Sequence, residues 1–435
     1  MKNLTKFIFN ALFVSLFVIS CQNDHISNDF AQTDPSTSVE DKNVIFGQYI
    51  VFFKESKIPS ALSQLGKAPF ANREARVRSI ERISENSIRK INTILGNNSI
   101  DKSKVLDYYT STASGLAIKL TDKEFDKLSR DKNIASIELD RKVDLDDFDV
   151  EKITRNSNLK KPKQEVTCGI DRAGGFAKGH KKRTWIWIID SGIDLDHPDL
   201  NVITDNKYAK SFIKDEPSPN DCNGHGTHVA GTAAAIDNDF GVVGVSAGAP
   251  LVPVRVLDCE NRSSIALILS GINHVGKYGS PGDVVNMSIG NKTPFGPGCS
   301  KNTVFRRALR SLARKGIFVV MAAGNSHQDA KNFEPGCVNG DNIFTVAGMK
   351  CHEIFFDGFY SNYNTSYLDP IDFIASGTNV TSTYLNGEYA TFSGTSMAAP
   401  HVTGIIHARG RAPISRESIY DFRGEGQTYP IALRK

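Results

Sequence analysis

Three residues of this chain have the types needed for acyl transfer: an acid, Asp190 in "IIDSGIDLDHPDL", a base, His225 in "HGTHVAGTAAA", and a nucleophile, Ser396 in "FSGTSMAAPHV". A serine hydroxyl is a weak nucleophile until an imidazole takes its proton, and the imidazole needs a carboxylate to fix its tautomer. Each residue also has a plain structural explanation. Asp190 suits a turn or helix cap, "HGTH" suits a closely packed helix, and Thr395 and Ser396 suit a helix start, where side-chain oxygens accept unpaired N–H groups. Zinc is the weaker chemistry for "HGTH", because the glutamate of H-E-x-x-H is absent. Ala398 and Ala399 favour a helix, but Pro400 falls about one turn inside it and leaves the Ser396 carbonyl without its usual partner. That cost is unusual for a purely structural helix.

The surrounding pattern decides where these residues sit. "TWIWIID", "VVNMSI" and "GIFVVMAAG" are nearly continuous apolar runs separated by helical patterns such as "KNTVFRRALRSLARKG". Apolar strands alternating with helices imply an α/β fold with a doubly wound, mostly parallel sheet covered by helices on both faces. Ligands of such sheets bind beyond the carboxyl ends of the strands. Asp190 follows "TWIWII" directly, and His225 and Ser396 open helical segments. An acid, a base and a nucleophile at three element ends are hard to explain as three coincidences. Trp185 and Trp187, two apart, should face the same side of their strand.

The chain order Asp, His, Ser occurs in subtilisins. "DSGID", "NGHGTHVAGT", "AAGN" and "FSGTSMAAPHV" together resemble the subtilase family of serine proteases, over about residues 167–410, and most closely its proteinase K branch. The resemblance implies a secreted or surface serine endopeptidase with Asp190, His225 and Ser396 as triad and Asn325 in the oxyanion hole, acting on proteins and peptides. It further implies that Ser288, Ile289 and Gly290 form the backbone rail binding substrate as an added strand, with Ala323 and Gly324 also at the substrate. Phe333 would make the pocket for the residue before the cut bond apolar. A catalytically silent binding protein of the same fold is the alternative. The chemistry needs no cofactor, but the resemblance places Asp199 and Asn238 at one structural calcium position and Asp372 near another; hydrogen-bonded turn residues are the competing explanation. His228, Ser393 and His401 acquire no catalytic role.

The remaining sequence gives the organisation. Residues 1–21 carry Lys2 and Lys6, then an apolar run from Phe7 to Ile19 too short to span a membrane, then Ser20-Cys21. This reads as a signal peptide and resembles a lipoprotein signal, with Cys21 lipidated. Residues 22–46 form a polar tether. Residues 47–147 read strand, helix, strand, helix, strand, a small α+β ferredoxin-like domain that resembles the inhibitory propeptide of subtilases. Residues 148–166 would be the processing junction and 167–435 the peptidase domain. The precursor would then be tethered by its lipid, and the mature, monomeric enzyme released. Formal net charge is only +4. Basic stretches such as "GHKKR" lack interleaved aromatics, so nucleic acid is not an expected partner. Besides Cys21 there are six cysteines, without C-x-x-C spacing and with fifteen possible connectivities; Cys299 with Cys337 is one expected pair. Cys168 stands where many relatives carry tryptophan, which implies a disulfide to the domain's start.

Overall fold

The computed structural model describes residues 43–66, 70–145, 163–290, 304–352, 360–364, 370–421 and 427–435. Cys21, the signal peptide, most of the tether and Cys299 lie outside them, as does the junction before Lys163.

The N-terminal part is built from β1 (Val44–Phe53), α1 (Ala61–Gln64), α2 (Arg73–Asn97), β2 (Val105–Tyr109), β3 (Gly115–Lys119), α3 (Asp122–Ser129) and β4 (Ile134–Asp144). Its order, β4-β1-β3-β2 with antiparallel pairings, is ferredoxin-like. It departs from the expected pattern in three places, one of them the short helix α1. β1 starts at Val44, inside the stretch expected to be tether. β2, "VLDYY", is an additional strand: it is short, has Asp107 at its middle and follows the lysine-rich "DKSK", so no apolar alternation marks it. Helix α2 begins where Asn72 accepts from the Ala75 N–H, and α3 has a complete capping box between Thr121 and Glu124.

The C-terminal part holds a seven-stranded parallel sheet. It contains β6 (Ile186–Asp190), β7 (Lys210–Ser211), β9 (Leu251–Arg255), β11 (Val284–Met287), β12 (Phe318–Ala322), β13 (Ile343–Met349) and β14 (Ile371–Ser376), in the order β14-β13-β12-β11-β6-β9-β7. Alternation in β6 shows why both faces are apolar. Trp187 and Ile189 pack toward α6 (Ile265–Tyr278) and α7 (Val304–Arg314), while Ile186 and Ile188 pack toward α5 (His225–Ala234) and Met397 of α8 (Thr395–Arg409). Trp185 and Trp187 share a side, ring centroids 5.8 Å apart. Smaller pairings complete the fold: β5 (Ala177–Lys178) with β8 (Ser246–Ala247), β15 (Val380–Thr383) with β16 (Tyr389–Phe392), and β17 (Ser418–Tyr420) with β18 (Thr428–Pro430). Helix α4 (Cys168–Arg172) begins the part. Cys168 bonds Cys351, Cys222 bonds Cys259, and Cys337 is disulfide-bonded; the expected partner Cys299 lies outside the described residues.

The two parts share a core and a sheet edge. Ile50, Phe52, Leu62 and Ile80 pack in one cluster with Ile265, Phe305 and Leu309. The last strand of the N-terminal part, β4, pairs antiparallel with β10 (Arg262–Ser264), Lys142 opposite Ser264 and Asp144 opposite Arg262. The Leu145 N–H continues the ladder to the Asn261 carbonyl. Among the described residues no helix is long and apolar enough to cross a membrane.

Candidate active site

Every expected chemical group sits at a carboxyl end of the parallel sheet or at a helix start beside it. Asp190 is the last residue of β6 and is fully buried. Its Oδ1 accepts from the Ser191 N–H at 2.8 Å and from His225 Nδ1 at 2.7 Å. A carboxylate can only accept, so Nδ1 carries the ring proton and Nε2 is the proton acceptor of the ring. Burial alone would lower the His225 pKa, but the charge and hydrogen bond of Asp190 outweigh it and hold the value above the ordinary one.

His225 is the first residue of α5, whose cap, Gly224, adopts φ of 101° and supplies no side chain. A Cβ there would meet the Tyr384 ring at 2.0 Å, so both space and conformation require glycine. Capping comes instead from Asp221. Its Oδ1 accepts from the N–H groups of Asn223 and Gly224 and from the Ser191 hydroxyl, and its Oδ2 from the Thr227 N–H and hydroxyl. This buried carboxylate fixes the His225 turn to the end of β6. Sequence reasoning missed it; the signal was an Asp two residues before an Asn-Gly turn. The neighbouring His228 is a different kind of histidine. Burial pushes it down to about 3, and its Nε2 donates to the carbonyls of Val380 and Ala390, tying α5 to the β15–β16 hairpin.

Ser396 is the second residue of α8, and Pro400 lies inside that helix. The helix opens at Thr395 as expected, but neither Thr395 nor Ser396 caps it with a side chain. The Thr395 N–H and hydroxyl both donate to Asn325 Oδ1, at 2.8 and 2.9 Å, while Thr395 Oγ1 accepts from the Gly324 N–H. Asn325 thus satisfies the first-turn donor from across the site, and the contact orients its amide: with Oδ1 facing Thr395, Nδ2 is left as the donor. The carbonyl that Pro400 leaves unpaired accepts from the Ser288 hydroxyl at 2.9 Å. Ser288 Oγ accepts from Asn286 Nδ2, and Asn286 Oδ1 from Thr403 Oγ1, so a polar chain runs back to the third turn of α8. The Ser396 hydroxyl rests on the Ser288 carbonyl at 3.2 Å.

The expected substrate residues gather around these groups. Ser288, Ile289 and Gly290 continue β11, and Ala323 and Gly324 continue β12. The Phe333 ring lies against the Gly290 and Gly324 backbones, where added Cβ atoms would meet it at 2.2 and 2.6 Å. Asn362, also missed from sequence, accepts from the Ser326 and Gln328 N–H groups and donates to the Ala323 carbonyl, shaping the loop that carries Asn325. Ser393 and His401 stand apart from the chemistry, accepting from the Asn379 N–H and bonding the Met397 carbonyl.

Asp199 and Asn238 meet, with Asn238 Nδ2 donating to Asp199 Oδ1 at 2.8 Å. Gln164 joins them through the Asn238 N–H, and Tyr389 and the Val242 N–H donate to Asp199 Oδ2. Burial pushes Asp199 up to about 6. Asp372 belongs elsewhere, on β14, accepting from the Thr345 N–H, and burial pushes it up to about 7.

Comparison with known proteins agrees with this geometry. The profile of the subtilase family matches residues 181–408, and that of the peptidase inhibitor I9 family matches residues 48–146. The chain is 35% identical to subtilisin BL of Lederbergia lenta over 55% of its length and 82% of that protein. It is 32% identical to M-protease of Shouchella clausii (strain KSM-K16) over 67% of each chain. Identity with the extracellular serine proteinase of Thermus sp. (strain Rt41A) is 28%, over 90% of this chain and 87% of the other. A crystal structure of a cold adapted subtilisin-like serine proteinase aligns with a TM-score of 0.50 and 26% identity, covering 62% of this chain and 97% of that one.

Proposed function

This chain belongs to the subtilase family, and on that premise we propose that Asp190, His225 and Ser396 are the catalytic triad of the serine endopeptidase, made as a zymogen, that its relatives and its I9 segment show it to be. The buried 2.7 Å contact between His225 Nδ1 and Asp190 Oδ1 carries the assignment. His225 Nε2 takes the proton of Ser396 Oγ as that oxygen attacks the peptide carbonyl, the imidazolium gives the proton to the leaving amine, and water then repeats the sequence on the acyl-enzyme. Asn325 Nδ2 and the Ser396 N–H stabilise the oxyanion. Ser288 to Gly290 pair with substrate main chain, and Phe333 with Ala323 and Gly324 make an apolar pocket. The pocket follows the proteinase K-like pattern "AAGNSHQDAKNFEP".

Self-processing tests the assignment. A Ser396→Ala chain should accumulate as precursor where the wild type is cut. Equal cutting of both would assign maturation to another protease, and undiminished hydrolysis of a peptide substrate by the variant would overturn the triad.

The N-terminal unit acts as the enzyme's own inhibitor and is removed at the junction after β4. Export follows from the signal-like residues 1–21 and from extracellular relatives; lipidation of Cys21 would tether the precursor and release the mature enzyme on cleavage. Fractionation that finds the mature enzyme firmly in membranes would count against release. No cofactor enters the chemistry. The residues at Asp199 fit calcium: a buried carboxylate that accepts only from the neutral Asn238 amide, Val242 N–H and Tyr389 hydroxyl, joined by amide-bearing Gln164, supplies the oxygen ligands that ion takes. Asp372 is not part of that set. A chelator that leaves the melting temperature unchanged would remove calcium from the account.

A further inference from the structure

Helix α2 of the propeptide meets the catalytic domain at the amino edge of the parallel sheet, opposite the edge that carries the chemistry. Asp283, just before β11, is wholly buried there. Its carboxylate accepts from the Trp185 N–H at 3.0 Å, the Trp187 Nε1–H at 2.9 Å and the Ser280 N–H at 2.9 Å, all neutral donors of the catalytic domain. The cation set against it, Arg73, belongs to the propeptide. Arg73 grips both carboxylate oxygens, Nη1 at 2.7 Å and Nη2 at 3.1 Å, and donates from Nη1 to the Tyr278 carbonyl at 2.9 Å. Its guanidinium lies 3.6 Å over the Trp185 ring. Three residues on, buried Arg76 donates to the carbonyl of Gly279, and to those of Lys277 and Gly276 at 3.4 Å each. These are the last carbonyls of α6 and its cap, which lack intrahelical donors and form the negative end of the helix dipole.

Planar, bidentate, stacked and carbonyl contacts together select a guanidinium over an ammonium. We propose that the catalytic domain carries a guanidinium-binding exosite, formed by Asp283, the Trp185 face and the last carbonyls of α6, which Arg73 and Arg76 fill in the zymogen. Once the propeptide leaves, the site takes arginines three apart on a helix of another protein, a substrate or an inhibitor, away from the bond to be cut. This rests on the reading of the N-terminal unit as a removable propeptide. Removal strips a buried carboxylate of its cation, which is the condition under which such a charge is most costly to leave alone.

The test vacates the site without cutting the chain. A Ser396→Ala chain that also carries Arg73→Ala and Arg76→Ala is titrated with arginine amide and, separately, with lysine amide, following intrinsic fluorescence; the chain has two tryptophans, and both border the site. A saturable change with arginine amide is expected, at least about 10-fold weaker with lysine amide because a point charge cannot make the fork contacts, and absent from the Ser396→Ala chain whose site is filled. Equal responses to the two amides, or equal responses of the two chains, would overturn the proposal. Should the triple variant not fold, the cut wild-type complex supplies the reading: arginine amide should speed propeptide dissociation in gel filtration and lysine amide should not, and no difference between them overturns it. A wild type that never cuts itself would assign maturation to another protease and leave the titration of the Ser396→Ala chains to judge the exosite.

Discussion

Buried charge is handled in opposite ways at the catalytic centre and around helix α6. At the carboxyl edge, the hydrogen bonds of Asp190 and Asp221 all come from neighbours in the catalytic domain: Ser191, His225, Asn223, Gly224 and Thr227. Around helix α6 the partners come from the propeptide. Asp140, at 0% exposure, accepts from the Ala266 N–H at the start of the helix, and Arg73 and Arg76 meet its last carbonyls and Asp283. An anion at the positive end and cations at the negative end is the arrangement a helix dipole favours. The difference separates permanence from transience. Groups that must survive maturation depend on nothing that leaves, and groups that hold the inhibitor are those its departure exposes.

The comparison can be broken most severely at the self-contained catalytic centre. Ser396→Ala should lower kcat for a peptide amide by about 10⁵-fold or more without disturbing propeptide docking, measured by rate assay and by gel filtration of the uncut chain. Asn325→Ala should cost about 10²–10³ in kcat with little change in KM; because it also strips Thr395 of its acceptor, a fall in melting temperature should accompany it. Around α6, Arg73→Ala should speed propeptide dissociation by about 100-fold, since it leaves Asp283 buried and unpaired, whereas kcat of the freed enzyme should not move. Asp140→Asn should give a smaller acceleration, because an amide oxygen still accepts from the Ala266 N–H. An equal effect of the two would show that charge is not what distinguishes the contacts.

Acidity sharpens the same contrast. His225 must be neutral to act as base, so kcat/KM should rise with pH through a value above 6.5, in the direction of its raised pKa. The sign for stability is the reverse: the Asp190–His225 attraction is fully present below 6.5 and is lost as pH climbs through the raised value. A pH–rate profile and denaturant midpoints over the same range should therefore slope in opposite directions. The smallest effect is expected from Pro400→Ala, which restores an N–H able to compete with Ser288 for the Ser396 carbonyl. A change in kcat of no more than about threefold, with stability within about 1 kcal/mol, fits the weight of one neutral hydrogen bond. Unchanged values of both would show that the proline does not shape the turn.

Much of the catalytic fold was legible because its signals are local. The apolar run ending in Asp190, the small residues after His225 and the helical pattern after Ser396 each mark an element end, and the parallel sheet brings such ends together. What escaped depends on contacts across the chain. Asp221 looks like any loop acid until its six-residue reach to Thr227 is seen, and Asn362 acts on residues 34 to 39 positions away. Thr395 illustrates the limit of propensity: it is a good cap residue, yet Asn325, 70 positions earlier, takes its N–H. Strand β2 escaped because a half-buried Asp107 interrupts its pattern, and burial raises that carboxyl's pKa. The cysteine count allowed pairings but could not rank them, since connectivity is set by which loops the sheet places side by side.

One of those bridges has a bearing on the catalytic base. Cys222 lies three positions before His225, and Cys259 three before β10, the strand that pairs with the propeptide; the Asn223 amide adds a 3.0 Å bond to the Cys259 carbonyl. Closing this 37-residue loop is worth about 4 kcal/mol in a chain-entropy account. In a reducing compartment the clasp stays open, and the base and the strand that receives the propeptide are joined only by weak bonds. The oxidised bridge therefore locks the loop that bears His225 covalently to the segment leading into β10, where the Asn223 contact alone would hold them weakly.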